Sequence, residues 1–206
     1  MRDPIIDLND INNLNNSKIK IDLKIKDIVE NKKFLLSIGR FTKQKNFLFY
    51  AKCIPEIINL DEDLYFLFIG DGEQKLEFLN LLKKFNISDR VLNINFTNNV
   101  NYFMKKSIAL VMTSLWEDPG FVIVEAGFNN CQVISSNCPN GPIEIIGKDG
   151  GYIFNSNSKN DFLKTIKLFL DDDKISKNNR KIILKKRSRK FTLFSHYNSL
   201  KKNVLL

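Results

Sequence analysis

Six short apolar runs recur along the chain, and between them the apolar residues fall at helical spacing. This alternation constrains the fold more than any other feature. The runs are Phe34-Leu35-Leu36-Ser37-Ile38, closed by Gly39; residues 64–69 (LYFLFI), closed by Gly70-Asp71-Gly72; residues 91–94 (VLNI); residues 108–112 (IALVM); residues 132–135 (QVIS); and residues 151–154 (GYIF). The intervening patterns predict helices over 46–59, 73–85, 100–106, 121–128, 142–146 and 161–170, followed by two more at about 174–188 and 195–205. Pro55 should kink or shorten the first of these. Strands apolar on both faces and joined by helices belong in a parallel sheet covered on both sides. The expected fold class is therefore α/β, a doubly wound, Rossmann-like layer with right-handed crossovers. Ahead of the first run, residues 18–25 (KIKIDLKI) show the polar–apolar alternation of a strand. The sequence has no internal repeat.

Composition closes off several alternatives. The 206 residues are 43% apolar and 27% charged, ordinary globular usage, so wholesale disorder, collagen and coiled coil are excluded. No apolar run approaches the roughly 20 residues of a membrane span. Residues 1–16 are polar and Asn-rich without an apolar h-region, so no signal peptide is expected. Cys53, Cys131 and Cys138 are too few and scattered for a disulfide framework, which points to a reducing, cytoplasmic setting. A single histidine, His196, leaves no material for zinc sites or histidine-based triads. The net charge of +9 is unevenly placed. From Lys174 to Leu206 there are 11 Lys and Arg and no Asp or Glu, leaving 21 basic against 23 acidic side chains in the rest. Such a tail suits an anionic surface such as phospholipid or nucleic acid, or is simply a solvated helix face.

In doubly wound sheets ligands sit beyond the carboxyl ends of the strands. The loop after the first run reads Gly39-Arg40-Phe41-Thr42-Lys43-Gln44-Lys45-Asn46. Arg40 and Lys45, just before a helix start with its free N–H groups, suit a pyrophosphate, though a solvated basic loop has the same composition. The loop after the fourth run holds Glu117, and Glu125 lies about a turn into the next helix, roughly 7 Å along its axis. Two carboxylates so spaced can grip hydroxyls at two ends of one ligand, with the Gly120 turn and its amides between them. Helix capping by Glu117 and a surface role for Glu125 are the plain alternatives. Glu125 stands in an otherwise apolar helix, where a buried carboxylate needs a partner.

The segments SIGRFTKQKN, LFIGDGEQ, TSLWEDPGFVIVEAG, VISSNCPNGPIEII and GGYIF, in this order over residues 33–170, resemble the C-terminal, donor-binding half of the GT-B retaining glycosyltransferases of family 4 (group 1). The Glu117-x7-Glu125 pattern is the most specific part. The resemblance implies transfer of a hexosyl group from a nucleoside diphosphate sugar, such as a UDP-sugar, to a hydroxyl acceptor with retention. The setting it implies is cell-surface glycan or lipid-linked saccharide synthesis. It implies that Arg40 and Lys45 hold the diphosphate, that Glu117 contacts the sugar, that amides around Gly120, Phe121 and Val122 meet sugar and phosphate, and that Glu125 accepts from the ribose hydroxyls. Gly39, Gly70 and Asp71, with the region of Thr97, would border the nucleotide. Asn140, Gly141 and Glu144 would close over the donor. Cys138 reads as a packing residue, no base being evident nearby. No metal or other cofactor is expected.

Two departures from the family stand out. Where the family often has Glu-Gly-Phe-Gly, this chain has Glu117-Asp118-Pro119-Gly120, which adds a charge and removes an N–H. By the resemblance, residues 1–31 are an interdomain linker remnant, 32–190 the nucleotide-sugar-binding domain and 191–206 the crossover helix. The N-terminal acceptor domain is then absent, to be supplied by a separate half. The alternative is a non-catalytic nucleotide-sugar-binding module or a truncated remnant. The expected location is the cytoplasm, peripheral on the inner face of a membrane through the basic tail, with no nucleic acid. Asp61-Glu62-Asp63 and Asp171-Asp172-Asp173 match the metal-binding Asp-x-Asp pattern of other glycosyltransferases, but at helix ends and turns. Gly70-Asp71-Gly72 lacks the third glycine of a dinucleotide fingerprint.

Overall fold

The computed structural model describes residues 22–204. Its strands are β1 (Phe34–Ile38), β2 (Tyr65–Ile69), β3 (Val91–Ile94), β4 (Ala109–Met112), β5 (Val133–Ser136) and β6 (Tyr152–Phe154). Its α-helices are α1 (Leu23–Asn31), α2 (Phe47–Ile58), α3 (Lys75–Lys84), α4 (Val100–Lys106), α5 (Phe121–Phe128), α6 (Pro142–Ile146), α7 (Lys159–Asp171), α8 (Lys174–Ser188) and α9 (Leu193–Val204). The strands form one sheet in the order β3-β2-β1-β4-β5-β6, and every neighbouring pair is parallel. This is the doubly wound, Rossmann-like layer the apolar runs predict. The strand order reverses between β1 and β4, which pair through Leu35↔Ala109 and Leu36↔Leu110. This is the switch point, beyond whose carboxyl end doubly wound sheets hold their ligands.

Both faces of the sheet are buried, so successive strand residues serve opposite cores. Leu35, Phe66, Phe68, Ala109, Val111 and Ile134 pack against α2, α3 and α7. Phe34, Leu36, Leu67, Ile69, Leu110, Met112 and Val133 pack against α1, α4, α5, α6 and α8. The first core is aromatic: Phe68 lies 4.7 Å from Phe78, 5.2 Å from Phe47 and 5.3 Å from Tyr50, centroid to centroid. Each such ring contributes about 2 kcal/mol by leaving water. Side-chain caps start the polar-fronted helices. Asp173 accepts from the Ile175 and Ser176 amides at 2.7 and 2.9 Å, and Ser158 accepts from the Asp161 amide.

The alternating segment 18–25 is not a strand where it can be followed. Residues 18–21 lie outside the described residues, and α1 takes up the rest, capped by Asp22 on the Lys24 amide at 2.8 Å. Its inward residues, Ile25, Ile28 and Val29, have helical spacing and reach the second core, while Leu23 is left exposed. Burial of the 25/28/29 stripe outweighs the short alternation. Pro55 does not shorten α2, which continues to Ile58. The last helix begins at Leu193, two residues before the expected start.

Candidate functional site

The loop after β1 is anchored before it presents any charge. Phe41 is fully buried, 5.0 Å from Phe47 and 5.1 Å from Phe78 between ring centroids. The Gly39 amide donates to Ile69 O and the Phe41 amide to Asp71 O, binding this loop to the one after β2. A side chain on Gly70 (φ +146°) would put its β-carbon 1.9 Å from Gly39 O, so only glycine permits the approach. Arg40, held between Gly39 and Phe41, is exposed, and no hydrogen bond or ion pair engages its side chain among the described residues. Asp71, also exposed, pairs with Lys75 at 3.5 Å, and Lys75 donates to Asn95 beyond β3 at 2.6 Å.

Lys45 turns back across Gly39 and meets the loop after β4. Its ammonium donates to both oxygens of Glu117, at 2.7 and 2.9 Å. The Glu117 side chain is only 4% exposed and that of Lys45 18%. Ser114 donates its hydroxyl to Glu117 Oε1 at 2.5 Å. A polar suture holds the two loops in register. Leu115 N donates to Gln44 O (2.8 Å), Gln44 Nε2 to Trp116 O (3.1 Å), and Thr113 Oγ1 to Lys45 O (2.9 Å). From β5, Ser136 Oγ donates to Ser114 O at 2.6 Å. Glu117 N donates to Pro139 O at 3.1 Å, fixing the backbone that carries the carboxylate. Gln44, Thr113, Ser114 and Ser136 were not singled out from the sequence. The signal was there in Thr113-Ser114, a polar pair placed directly after a fully buried strand.

The peptide bond between Asp118 and Pro119 is cis, and Gly120 (φ 84°) leads into α5. No side chain caps the amides that open α5, nor those that open α2 behind Asn46, so both helix starts at the switch point keep free N–H groups. Phe121 and Val122, the first residues of α5, are half-buried. Glu125 is half-buried too, and burial pushes its carboxyl above the usual carboxylate range. No donor or cation meets that carboxylate among the described residues. The structure thus joins Gly39, Lys45, Glu117 and Gly120 in one contact set, with Arg40, Gly70 and Asp71 along the same rim. Glu125 is a separate station inside the helix.

The loop after β5 closes against the loop after β4. A β-carbon on Gly141 (φ +122°) would lie 1.8 Å from Pro119 O. Asn140 and Glu144 are exposed beside it, and the Glu144 carbonyl accepts from Arg187 Nη2 at 2.6 Å. Cys138 is buried and its thiol is pushed up by burial, the Ser136 hydrogen bond opposing, which fits a packing role. Thr97, beyond β3, accepts from the Asn99 amide. The two acidic runs serve the scaffold. Asp61 holds the Asp63 amide and pairs with Lys33 at 3.4 Å. Asp172 accepts from Tyr152 at 2.6 Å, and Asp173 caps α8.

With this geometry in view, the comparisons with known proteins are consistent. A family model described as glycosyl transferases group 1 matches residues 18–190. A Campylobacter jejuni protein, N-acetylgalactosamine-N,N'-diacetylbacillosaminyl-diphospho-undecaprenol 4-alpha-N-acetylgalactosaminyltransferase, is 32% identical over 154 residues, 74% of this chain and 41% of its own length. The Escherichia coli UDP-Gal:alpha-D-GlcNAc-diphosphoundecaprenol alpha-1,3-galactosyltransferase is 29% identical over 152 residues, 72% of this chain and 39% of its own. Anabaena HepE, solved with UDP and glucose, superposes with a TM-score of 0.77 at 15% identity, covering 97% of this chain and 53% of that one. The C-terminal domain of the Francisella tularensis group 1 glycosyl transferase LpcC gives a TM-score of 0.68 at 16% identity, over 84% of this chain and 95% of that one. The chain spans about 40% of the length of these two curated relatives.

Proposed function

The chain belongs to the group 1 glycosyl transferases, and from that premise we propose that it is a donor-binding half, holding a nucleoside diphosphate sugar at the switch point between β1 and β4. The hexosyl group passes to a hydroxyl acceptor with its anomeric configuration kept. One observation carries this reading: the Lys45 ammonium is clamped on both oxygens of a buried Glu117, on the same loop as Arg40, which has no side-chain partner among the described residues. Uridine is the base of choice, because HepE was solved with UDP.

In this proposal the Arg40 guanidinium grips the diphosphate bidentately and Lys45 shares its charge between Glu117 and the phosphate. Sharing the ammonium frees part of the Glu117 carboxylate to accept from the sugar's hydroxyls. As the C1–O bond to the diphosphate breaks, the bond from the acceptor oxygen to C1 forms on the same face. The acceptor's proton goes to the departing diphosphate oxygen, so no protein nucleophile is needed. Arg40 and Lys45 are preorganised for the charge that grows on the leaving group. The amides of Gly120, Phe121 and Val122 add donors from the helix start. Pro119 can add none, and the Asp118 charge opposes an anion there, so more weight falls on Arg40. Gly39, Gly70 and Asp71 border the nucleotide, and Glu125 accepts from the ribose. With two cations supplying the countercharge, the reaction needs no metal and should persist with a chelator present.

The printed activities of the Campylobacter and Escherichia relatives, both on diphospho-undecaprenol-linked sugars, favour lipid-linked saccharide synthesis at the cytoplasmic face of a membrane. The same relatives are more than twice the matched length, which favours an acceptor-binding half, on this or another polypeptide, as partner. A nucleotide-sugar-binding module without catalysis is the second reading. Calorimetry with UDP and GDP, in EDTA, tests the shared core of both. Binding of UDP tighter than about 1 mM, some 4 kcal/mol, is expected. Failure of both nucleotides to reach it overturns the donor site. Release of free sugar from a UDP-sugar then separates enzyme from module.

A further inference from the structure

The basic C-terminal region is not absorbed by the donor site, and the structure sorts its cations into two groups. Along α8, four are spent on the fold. Lys177 donates to Leu170 O at 3.2 Å and lies over the Phe169 ring, and Arg180 donates to Gly151 O at 3.1 Å and sits over Tyr152. Lys185 donates to Asn130 Oδ1 and Arg187 to Ile145 O. Lys174, Lys181 and Lys186, with Arg189 and Lys190 just beyond the helix, have no side-chain partner among the described residues. The exposed stripe between the spare cations is aliphatic at its two anchor points. Ile175 is 75% exposed and Ile182 57%. They are seven residues apart, two helical turns, and so share one face about 10 Å apart. Asn178 and Asn179, both exposed, fill the space between them. No acidic residue follows Asp173 anywhere in the sequence.

We propose that α8 lays this face on an anionic lipid bilayer, the isoleucines entering the acyl boundary and the spare lysines meeting lipid phosphates. Bare β-branched aliphatics flanked by unpaired lysines are the make-up of an interfacial helix. Nucleic acid is the poorer fit: a phosphate-tracking face gains nothing from two exposed isoleucines and wants stacking aromatics, which α8 lacks. The helix also runs the length of β5, from its amino end to its carboxyl end. The Lys177 carbonyl accepts from Gln132 ahead of β5, and Arg187 binds α6 at the carboxyl end. One end of α8 therefore lies at the carboxyl end of the sheet, the end that carries the proposed donor site. The inference stands apart from the donor site, since none of Ile175, Ile182, Lys174, Lys181 and Lys186 hydrogen-bonds or ion-pairs with a residue of that site among the described residues.

Sedimentation with vesicles of phosphatidylglycerol and phosphatidylcholine, against phosphatidylcholine alone, tests it on the full chain. Binding to the anionic vesicles should be at least tenfold tighter and should fall between 50 and 500 mM salt. Joint Lys174→Gln, Lys181→Gln and Lys186→Gln should weaken it about 100-fold, at roughly fivefold per cation. Joint Ile175→Asn and Ile182→Asn should weaken it by a further, salt-insensitive factor. UDP affinity should be untouched in both variants, which reports their folding. Equal binding to the two vesicle types, or indifference to the lysine variant, overturns the proposal. Duplex DNA bound as tightly as the vesicles, with the isoleucine variant silent, would assign the face to nucleic acid instead.

Discussion

Glu117 and Glu125 lie eight residues apart and meet opposite surroundings. Glu117 is almost sealed from water yet accepts from Lys45 through both oxygens and from Ser114 through one. Glu125 is less buried, and nothing among the described residues donates to it, so its carboxyl is driven toward the neutral form. Hydrogen bonds and an opposite charge offset desolvation at one acid; desolvation goes uncompensated at the other. A saturated carboxylate is a preorganised part, fixed before any ligand arrives. An unsatisfied one is a vacancy for donors, and the ribose hydroxyls of the proposed donor are of the right kind.

The comparison breaks most visibly at Glu117. Glu117→Ala strands the Lys45 ammonium in a site that is only 18% open at that side chain. The loss should be roughly 3 kcal/mol, the lower end of the range for a buried pair because Lys45 keeps some water. Thermal melting should show it as a drop of about 6–12 °C for a chain of this size. UDP-sugar turnover should fall below detection. A melt shifted by less than 2 °C would mean the suture, not the ion pair, holds the two loops.

Arg40→Ala should act on binding alone. The side chain is exposed and has no partner among the described residues, so the melt should hold within about 0.5 kcal/mol. Loss of its charge-assisted hydrogen bonds should cost UDP about 1.5–3 kcal/mol, some 10- to 150-fold in Kd. Uridine, without phosphates, should bind both forms equally. An unchanged UDP affinity would remove Arg40 from the diphosphate site.

The alternation of apolar runs and helical patterns made the fold legible, because strands buried on both faces are mostly apolar, with only Ser37, Asn93, Ser135 and Ser136 to blur the signal. Lys18–Ile25 misled because eight residues are too few for period two to be told from a helical stripe, and only the cores that receive Ile28 and Val29 decide. In the site, the charge types and their loops were legible; the pairing was not. The sequence assigns Lys45 to a diphosphate, and the structure also binds it to Glu117, 72 residues away along the chain. Spacing along a sequence cannot report a contact between two loops that meet only because β1 and β4 are neighbours in the sheet. The Thr113-Ser114 pair after a buried strand marks a polar site, but that Ser114 donates to Glu117 shows only once the two loops are folded.

Glu125→Gln should produce the smallest effect and the most diagnostic one. Burial raises the Glu125 carboxyl's pKa in the folded chain, so the folded state holds that proton more tightly than the unfolded state. The resulting stability is fully present below the unfolded pKa, near 4.3, and is lost as pH rises through the folded value. At pH 7, above the unfolded value, the buried carboxyl therefore costs stability, and glutamine removes the cost. Glu125→Gln should melt higher than the parent at pH 7, with the gain shrinking to nothing by about pH 4. The same change should weaken UDP by about fivefold, the difference between a charged and a neutral acceptor. It should leave a dideoxyribose analogue of UDP unaffected. A variant that melts lower at pH 7 would show that Glu125 is satisfied within the fold, and the contrast with Glu117 would vanish. A variant that melts higher but binds UDP as well as the parent would keep the contrast and move the ribose elsewhere on the rim.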